Sequence, residues 1–266
     1  MTPDQLRTRF RDLHEGSDLF VIPNPWDVGS ARILESQGFQ ALATTSSGFA
    51  WSLGRLDGQV DLDELAGHVA DLAAAVDIPI NVDAERCFAQ SADDVAATVD
   101  ALAAAGAAGF SIEDWNPEIG DVDPFETSLA RVAAAVAAAE PHGMVVTARA
   151  EGVLRGVGDV DAALERLAAF RDAGAECLYA PAVSAPTDIG RLVETLGRAV
   201  NVLLLPGVPS LSELADLGVR RVSTGGGLAR AAYGALVEAG EGLIAGRADY
   251  ASAAPAGSAI SALISR

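Results

Sequence analysis

Ile78-Pro79-Ile80-Asn81-Val82-Asp83-Ala84-Glu85-Arg86-Cys87-Phe88 is the stretch that decides the architecture. Residues 79–82 form a short, mostly apolar run that ends in two carboxylates, Asp83 and Glu85. Side chains two apart on a strand share a face. Two carboxylates on one face repel each other unless something positive lies between them, and a divalent cation is the simplest candidate.

The same grammar recurs along the chain. Short runs read as strands at 19–23, 41–45, 79–83, 109–112, 144–148, 177–180, 201–205 and 221–224. Helical patterns follow them at 30–37, 63–76, 91–105, 128–139, 160–173, 187–196, 210–217 and 228–239, with a further amphipathic helix at 2–16 in front. Most of the strand runs are apolar on both faces, as buried parallel strands are. Eight β-α units in this length predict a (β/α)8 TIM barrel occupying residues 1–266 as a single domain. An open doubly wound sheet is the competitor, and the regularity of eight units argues against it. Residues 249–266 lie beyond the eighth unit. Past Pro255 they carry a helical stripe of Ala256, Ile260, Leu263 and Ile264, which needs another surface to cover, and a partner subunit is the expectation.

Composition narrows the chemistry. Half of the 266 residues are hydrophobic, enough for one large core. The formal charge of −19 makes nucleic acid and anionic membranes poor partners. No uninterrupted apolar stretch is long enough to span a bilayer, and the charged N-terminal segment does not read as a signal region, so a cytoplasmic location is expected. All 18 basic residues are arginines. Schiff-base aldolases, pyridoxal-phosphate enzymes and P-loop nucleotidases each need a lysine and are excluded. The three histidines, His14, His68 and His142, form no metal-binding spacing, and two cysteines, Cys87 and Cys177, make no disulfide framework.

Barrel enzymes carry their chemistry at the C-terminal ends of the strands. In order these ends supply Asn24, Trp26 and Asp27; Thr45, Ser46, Ser47 and Gly48; Asp83 and Glu85; Glu113 and Asp114; Arg149 and Glu151; Tyr179; Pro206; Thr224 and Gly225, with Asp57 in the loop after the second strand. An acidic ring of oxygen ligands favours a hard cation, Mg²⁺ or Mn²⁺. The planar fork of Arg149 matches a substrate carboxylate, and the Ser47-Gly48 turn can aim backbone N–H groups at an anionic oxygen. A metal facing a carboxylate clamp suits a 2-oxo acid, whose enolate it stabilises when a neighbouring bond breaks.

These residues resemble the isocitrate lyase/phosphoenolpyruvate mutase superfamily. The resemblance rests on Pro23-Asn24-Pro25-Trp26-Asp27 with Ser30-Ala31-Arg32, Ser47-Gly48 with Leu53-Gly54, Asp57, Asn81-Val82-Asp83-Ala84-Glu85, Ile112-Glu113-Asp114, Thr147-Ala148-Arg149-Ala150-Glu151 and Gly225-Gly226-Gly227-Leu228-Ala229. It implies a barrel whose terminal helix swaps onto a neighbour in a tetramer or dimer. It also implies Mg²⁺ held partly through water by Asp57, Asp83, Glu85 and Glu113. The substrate-binding set it implies is Trp26, Thr45, Ser47, Gly48, Asp83 and Arg149, with Arg149, Glu113 and Asn116 as catalytic candidates. The implied reactions are C–C cleavage of small 2-hydroxy or 2-oxo carboxylic acids, or P–C rearrangement or hydrolysis.

The departures are specific. The family's Asp-Ala-Asp-Thr-Gly-Tyr-Gly reads Asp83-Ala84-Glu85-Arg86-Cys87-Phe88-Ala89 here, so two glycines are lost and a different turn is expected. The loop after the fourth strand, 116–121, has no cysteine, lysine or histidine, which argues against isocitrate and methylisocitrate lyase activity. The mutase histidine after the sixth strand falls at about Ala180, and only Asn116 offers a loop amide, which argues against phosphoenolpyruvate mutase activity. The remaining readings are a Mg²⁺-dependent C–C lyase or decarboxylase, a phosphonate-active enzyme, and a non-catalytic 2-oxo acid binder. Simpler alternatives stand beside the site residues: Asp83 and Glu85 as solubilising charges, Arg149 as a rim ion pair with Glu113 or Glu151, the glycines 225–227 as close packing or a phosphate site, and Cys87 as an inert buried thiol.

Overall fold

The computed structural model describes residues 1–265. Eight parallel strands build one sheet: β1 (Phe20–Ile22), β2 (Leu42–Ala43), β3 (Ile80–Asp83), β4 (Gly109–Glu113), β5 (Val145–Arg149), β6 (Cys177–Tyr179), β7 (Ala199–Leu203) and β8 (Arg221–Ser223). Their order is β1-β8-β7-β6-β5-β4-β3-β2. The two ends of that order meet: the Ala43 N–H donates to the Pro23 carbonyl at 3.1 Å, and Asn24 Nδ2 donates to the Thr44 carbonyl at 2.7 Å. The sheet is a (β/α)8 barrel, as the repeated strand-helix grammar predicts.

Helices cover the outside. In chain order they are α1 (Pro3–Glu15), α2 (Val28–Ser36), α3 (Ser46–Ser52), α4 (Leu62–Ala75), α5 (Val95–Ala104), α6 (Phe125–Ala139), α7 (Gly152–Arg155), α8 (Val160–Asp172), α9 (Pro186–Leu196), α10 (Leu211–Asp216), α11 (Gly227–Ile244), α12 (Tyr250–Ala253) and α13 (Gly257–Ile264). Their starts are set by side-chain caps. Asp27 and Ser30 close a capping box at α2, as do Asp61 and Glu64 at α4 and Ser210 and Glu213 at α10. The cap at Asp27 starts α2 two residues earlier than the periodicity alone suggests, and it commits the Asp27 carboxylate to the Ser30 N–H at 2.6 Å. Two short helices, α3 and α7, were not expected; both lie in strand-end loops. A hairpin of Trp115–Asn116 with Asp121–Val122 replaces the expected loop.

The outward strand faces and inner helix faces share one large core, with Val82, Phe110, Ile112, Val146, Ala148, Leu178, Val200 and Val222 buried in it. The bottom of the barrel is plugged by α1. Phe10 is fully buried there with Phe20, Ile22, Ala41, Ala43, Ala108 and Val145. Gly109 makes this plug possible, because a Cβ at that position would lie 2.7 Å from Phe10 Cε1 and 2.6 Å from the Val145 carbonyl. Above the plug the inward positions turn polar: Asn81, Ser111, Thr147, Asn201, Arg221 and Ser223 are all buried. TIM barrels usually fill this space with branched apolar side chains. Here they leave it open to the top.

Within the single chain α13 packs on α2. Along α11 only Ala229 is buried, while Leu236, Val237, Leu243 and Ile244 are exposed. Among the described residues no helix is long and apolar enough to cross a membrane.

Candidate active site

Arg149 stands at the centre of the strand ends. It terminates β5, opposite Glu113 of β4 on one side and Tyr179 of β6 on the other. Its Nη1 lies 2.7 Å from Asp83 Oδ1, and its Nη2 lies 3.1 Å from Glu113 Oε2 and 2.8 Å from Glu151 Oε1. Nε donates to Glu151 Oε1 at 2.9 Å, and the Tyr179 ring lies 5.3 Å from the guanidinium carbon. Burial alone would lower its pKa, but Glu151, Glu113 and Asp83 outweigh it and keep Arg149 charged. The rim ion pair is therefore real, and it sits inside the pocket.

The acidic side exceeds the basic side. Asp57, Asp83, Glu85, Glu113 and Glu118 line the cavity with Arg86, Arg149, Arg155 and Arg221, and Glu151 adds a sixth carboxyl against Arg149. Glu151 is wholly buried, and its Oε2 has no hydrogen-bond partner. Burial first, and then Glu151 and Asp83 against the opposing pull of Arg149, raise the Glu113 carboxyl well above the usual carboxylate range. Glu85 is pushed up to about 7 by burial and by Asp83 and Asp57, with Arg149 and Arg155 opposing. Burial and two further carboxylates thus oppose the Glu85 charge more than Arg149 and Arg155 favour it, and a divalent cation is the complement that this donor set fits. Among the described residues no three acidic, histidine or cysteine side chains converge closely enough to ligate one ion directly. A cation that keeps several of its waters, as Mg²⁺ does, suits such spacing.

Glu85 is held in place by backbone that its sequence does not favour. Glu85, Cys87 and Phe88 all have left-handed backbone, with φ of 47°, 58° and 49°. Cys87 stands where the related segment has glycine, and it adopts a glycine-like conformation at a steric cost. The nearly fully buried Arg131 of α6 ties this turn down: its Nη2 donates to the carbonyls of Arg86 at 2.5 Å and Ala89 at 2.8 Å. Arg86 pairs with the buried Asp123 at 2.8 Å.

The structure gathers Asp57, Asp83, Glu85, Glu113, Arg149, Thr45 and Ser47 around one cavity of about 850 Å³. Three expected residues lie off its wall. Asn116 is buried in the hairpin, where its amide donates to Asp123 Oδ1 at 2.8 Å and accepts from the Glu118 N–H at 3.0 Å. Trp26 stands behind Gly48, its Cβ 3.1 Å from where a Gly48 side chain would begin. Gly48 itself is in the first turn of α3, and its N–H points at Thr45 Oγ1 at 3.4 Å. The Ser46 N–H donates to Asp83 Oδ2 at 3.2 Å. Cys87 is fully buried, and burial pushes its thiol up to about 12, which makes it the inert thiol of the simpler reading.

The sequence reading missed Arg155. It rises from α7 onto the Trp115 ring at 4.7 Å, with Glu151 at 3.7 Å and Glu113 at 3.9 Å. It also missed the deeper lining of Asn81, Ser111, Asn201, Arg221 and Ser223. Strand alternation was the available signal for Asn81 and Ser111, which lie two positions before Asp83 and Glu113 on the same face.

Known proteins share this plan. Residues 10–244 match the family model for phosphoenolpyruvate phosphomutase. The uncharacterized protein Rv1998c of Mycobacterium tuberculosis H37Rv is 34% identical over 219 residues, 81% of each chain. The oxaloacetate decarboxylase of Paraburkholderia xenovorans LB400 is 32% identical over 232 residues, 83% of this chain and 75% of that one. A crystal structure from Burkholderia cenocepacia J2315, described only as a lyase/mutase, superposes with a TM-score of 0.96 at 42% identity, covering 99% of this chain and 98% of that one. With a family model spanning most of the barrel and relatives matched over most of their length, the chain belongs to the phosphoenolpyruvate mutase/isocitrate lyase family.

Proposed function

We propose that this protein is a Mg²⁺- or Mn²⁺-dependent enzyme that breaks a C–C bond next to the oxygen-bearing carbon of a small 2-oxo or 2-hydroxy carboxylic acid, in the manner of a lyase or decarboxylase. The observation that carries the reading is the gathering of Asp57, Asp83, Glu85 and Glu113 on the wall of the cavity that also holds Arg149, the arginine that would clamp the substrate. Asp57, Asp83, Glu85 and Glu113 would hold the cation, in part through water. The cation would supply electrostatic stabilisation of the enolate oxygen.

The chain's own groups do the rest. Arg149 binds the substrate carboxylate through its planar fork. Glu113, 3.1 Å from Arg149 Nη2, steadies that edge of the guanidinium and would face the cation from the same wall. Asp83 fixes the guanidinium from the opposite side, and Tyr179 supports its face. The cavity wall is completed by Trp115 and Arg155, which shield the reacting end from bulk water. A P–C reaction remains the second reading, supported by the family model and not by any phosphonate-specific residue. The same reading includes a homo-oligomer, because the exposed apolar residues of α11 need a covering surface.

The test is a ¹H and ³¹P NMR turnover screen with Mg²⁺, using oxaloacetate, isocitrate, 2-methylisocitrate, citramalate, phosphonopyruvate and phosphoenolpyruvate. Pyruvate or glyoxylate should form, and formation should stop with EDTA and in Arg149→Met. Saturable binding of 2-oxo acids without any product would move the protein to the non-catalytic reading.

A further inference from the structure

The cavity does not end at Arg149. It continues one layer down the barrel axis, past Tyr179 and Ser223, to Asn81, Ser111, Asn201 and Arg221. Thr147, which accepts a hydrogen bond from Arg221, precedes Arg149 by two residues on the same face of β5, about 6.6 Å along the strand. Small side chains, Ala43 and Ser111 among them, keep this space open.

Arg221 is 3% exposed and has no carboxylate partner among the described residues. Its three protein bonds all go to neutral groups. Nε donates to Asn201 Oδ1 at 2.9 Å, and Nη1 donates to Thr147 Oγ1 at 3.0 Å and to His14 Nε2 at 3.1 Å. His14 is neutral, held at about 3 by burial and by Arg221, and its Nδ1 faces the Phe10 carbonyl at 2.8 Å. That carbonyl requires the proton on Nδ1, which leaves Nε2 as an acceptor for Arg221. Nε and Nη1 are thereby used up. Neither N–H of Nη2 donates to a described protein group, and Arg221 borders the cavity. A buried guanidinium without a counter-charge is costly, and a donor pair left without a protein partner beside a cavity invites an anion.

A second side chain points the same way. Asn81, 3% exposed, also lines the well, and its Oδ1 is buried without any hydrogen-bond partner. With no protein partner fixing it, this amide is available to turn its Nδ2 donors to a ligand. The Ser111 and Ser223 hydroxyls stand on the same wall.

We propose that this well is an anion subsite in which Arg221 Nη2 and the Asn81 amide bind one small carboxylate, distinct from the carboxylate held by Arg149. The bound group is either a free monocarboxylate or the second carboxylate of a dicarboxylic acid that reaches down the barrel axis. The subsite stands on geometry of its own and does not depend on a metal or on which bond the enzyme breaks.

Calorimetric titration in chloride-free buffer tests it, with sodium formate and sodium malonate as probes. Wild-type protein should bind formate at a site that persists when Arg149 is replaced. Arg221→Met and Asn81→Leu should each weaken formate at least tenfold, and Arg149→Met should not. Malonate weakened by both Arg221→Met and Arg149→Met assigns the subsite to a spanning dicarboxylate, whereas formate dependence on Arg221 with malonate dependence on Arg149 alone assigns it to a free anion. The Asn81 side chain makes no hydrogen bond to a described protein group, so Asn81→Leu remains decisive if Arg221→Met does not fold. Absence of formate binding to the wild type, or formate affinity unchanged in folded Asn81→Leu and Arg221→Met, would overturn the proposal and leave Arg221 as framework only.

Discussion

Glu85→Gln offers the sharpest test of the electrostatics at the strand ends. In metal-free protein the Glu85 carboxyl sits at about 7, against an ordinary value of 4.5. A carboxyl raised in the folded state binds its proton more tightly there than in the unfolded chain. Its protonated form adds no penalty below the unfolded pKa, and stability is lost as pH climbs through the folded value. The window is therefore pH 4.5 to 7, with the loss complete above it. The shift corresponds to about 3 kcal/mol at most, since each unit is about 1.4 kcal/mol. Glutamine is neutral at every pH and escapes this loss. At pH 8 the metal-free variant should melt above the wild type by about 5–10 °C, at about 2–4 °C per kcal/mol for a chain of this size. At pH 5 the two should converge. Glu113 has a raised carboxyl too, but it is common to both proteins and cancels in the comparison. Mg²⁺ should then raise the wild-type Tm at pH 8 and do so far less for the variant. Differential scanning calorimetry at four pH values, with and without Mg²⁺, reads all of this. Parallel Tm profiles for the two proteins would refute the reasoning, because they would mean that Glu85 carries no penalised charge.

The remaining predictions concern the residues around it. Arg131→Met frees the Arg86 and Ala89 carbonyls and releases the left-handed turn; we expect a loss of about 2–4 kcal/mol in denaturant unfolding and weaker Mg²⁺ stabilisation, and an unchanged Mg²⁺ response would show that the turn does not set the Glu85 position. Asn116→Ala breaks the hairpin bonds to Asp123 and Glu118, so it should cost about 1–2 kcal/mol of stability while kcat stays within about threefold; a hundredfold fall in kcat with intact folding would return Asn116 to the chemistry. Native protein at pH 8 should resist iodoacetamide at Cys87, read by mass spectrometry of the Cys87 peptide, since burial pushes that thiol up to about 12; stoichiometric labelling within minutes would contradict the buried-thiol assignment.

The sequence by itself determined the barrel and most of its rim. Short strand runs alternating with helical periodicity can close only a few ways, and carboxylates placed just after those runs must face the strand ends whatever the details. Asp83, Glu85, Glu113 and Arg149 were legible for that reason, Asp57 through the family resemblance, and they do line one cavity. What the linear chain could not show was direction. Asn116 and Trp26 follow strand ends within a few residues, yet the hairpin turns Asn116 inward to Asp123, and Trp26 packs behind Gly48. Arg155 enters the site only because α7, unannounced by any long periodicity, bends it back over Trp115. The charge state of the site was equally out of reach, because a carboxyl's pKa depends on its burial and on neighbours tens of residues away, as Glu85 does on Asp57. Arg221 makes the case most plainly. In sequence it is one half of an Arg-Arg pair at a strand start; in the barrel it is a buried cation whose partners, His14, Thr147 and Asn201, come from three separate elements. Local pattern fixes which elements form, but which side chains share a charge, a proton or a cavity is decided by distances that exist only once the barrel is closed.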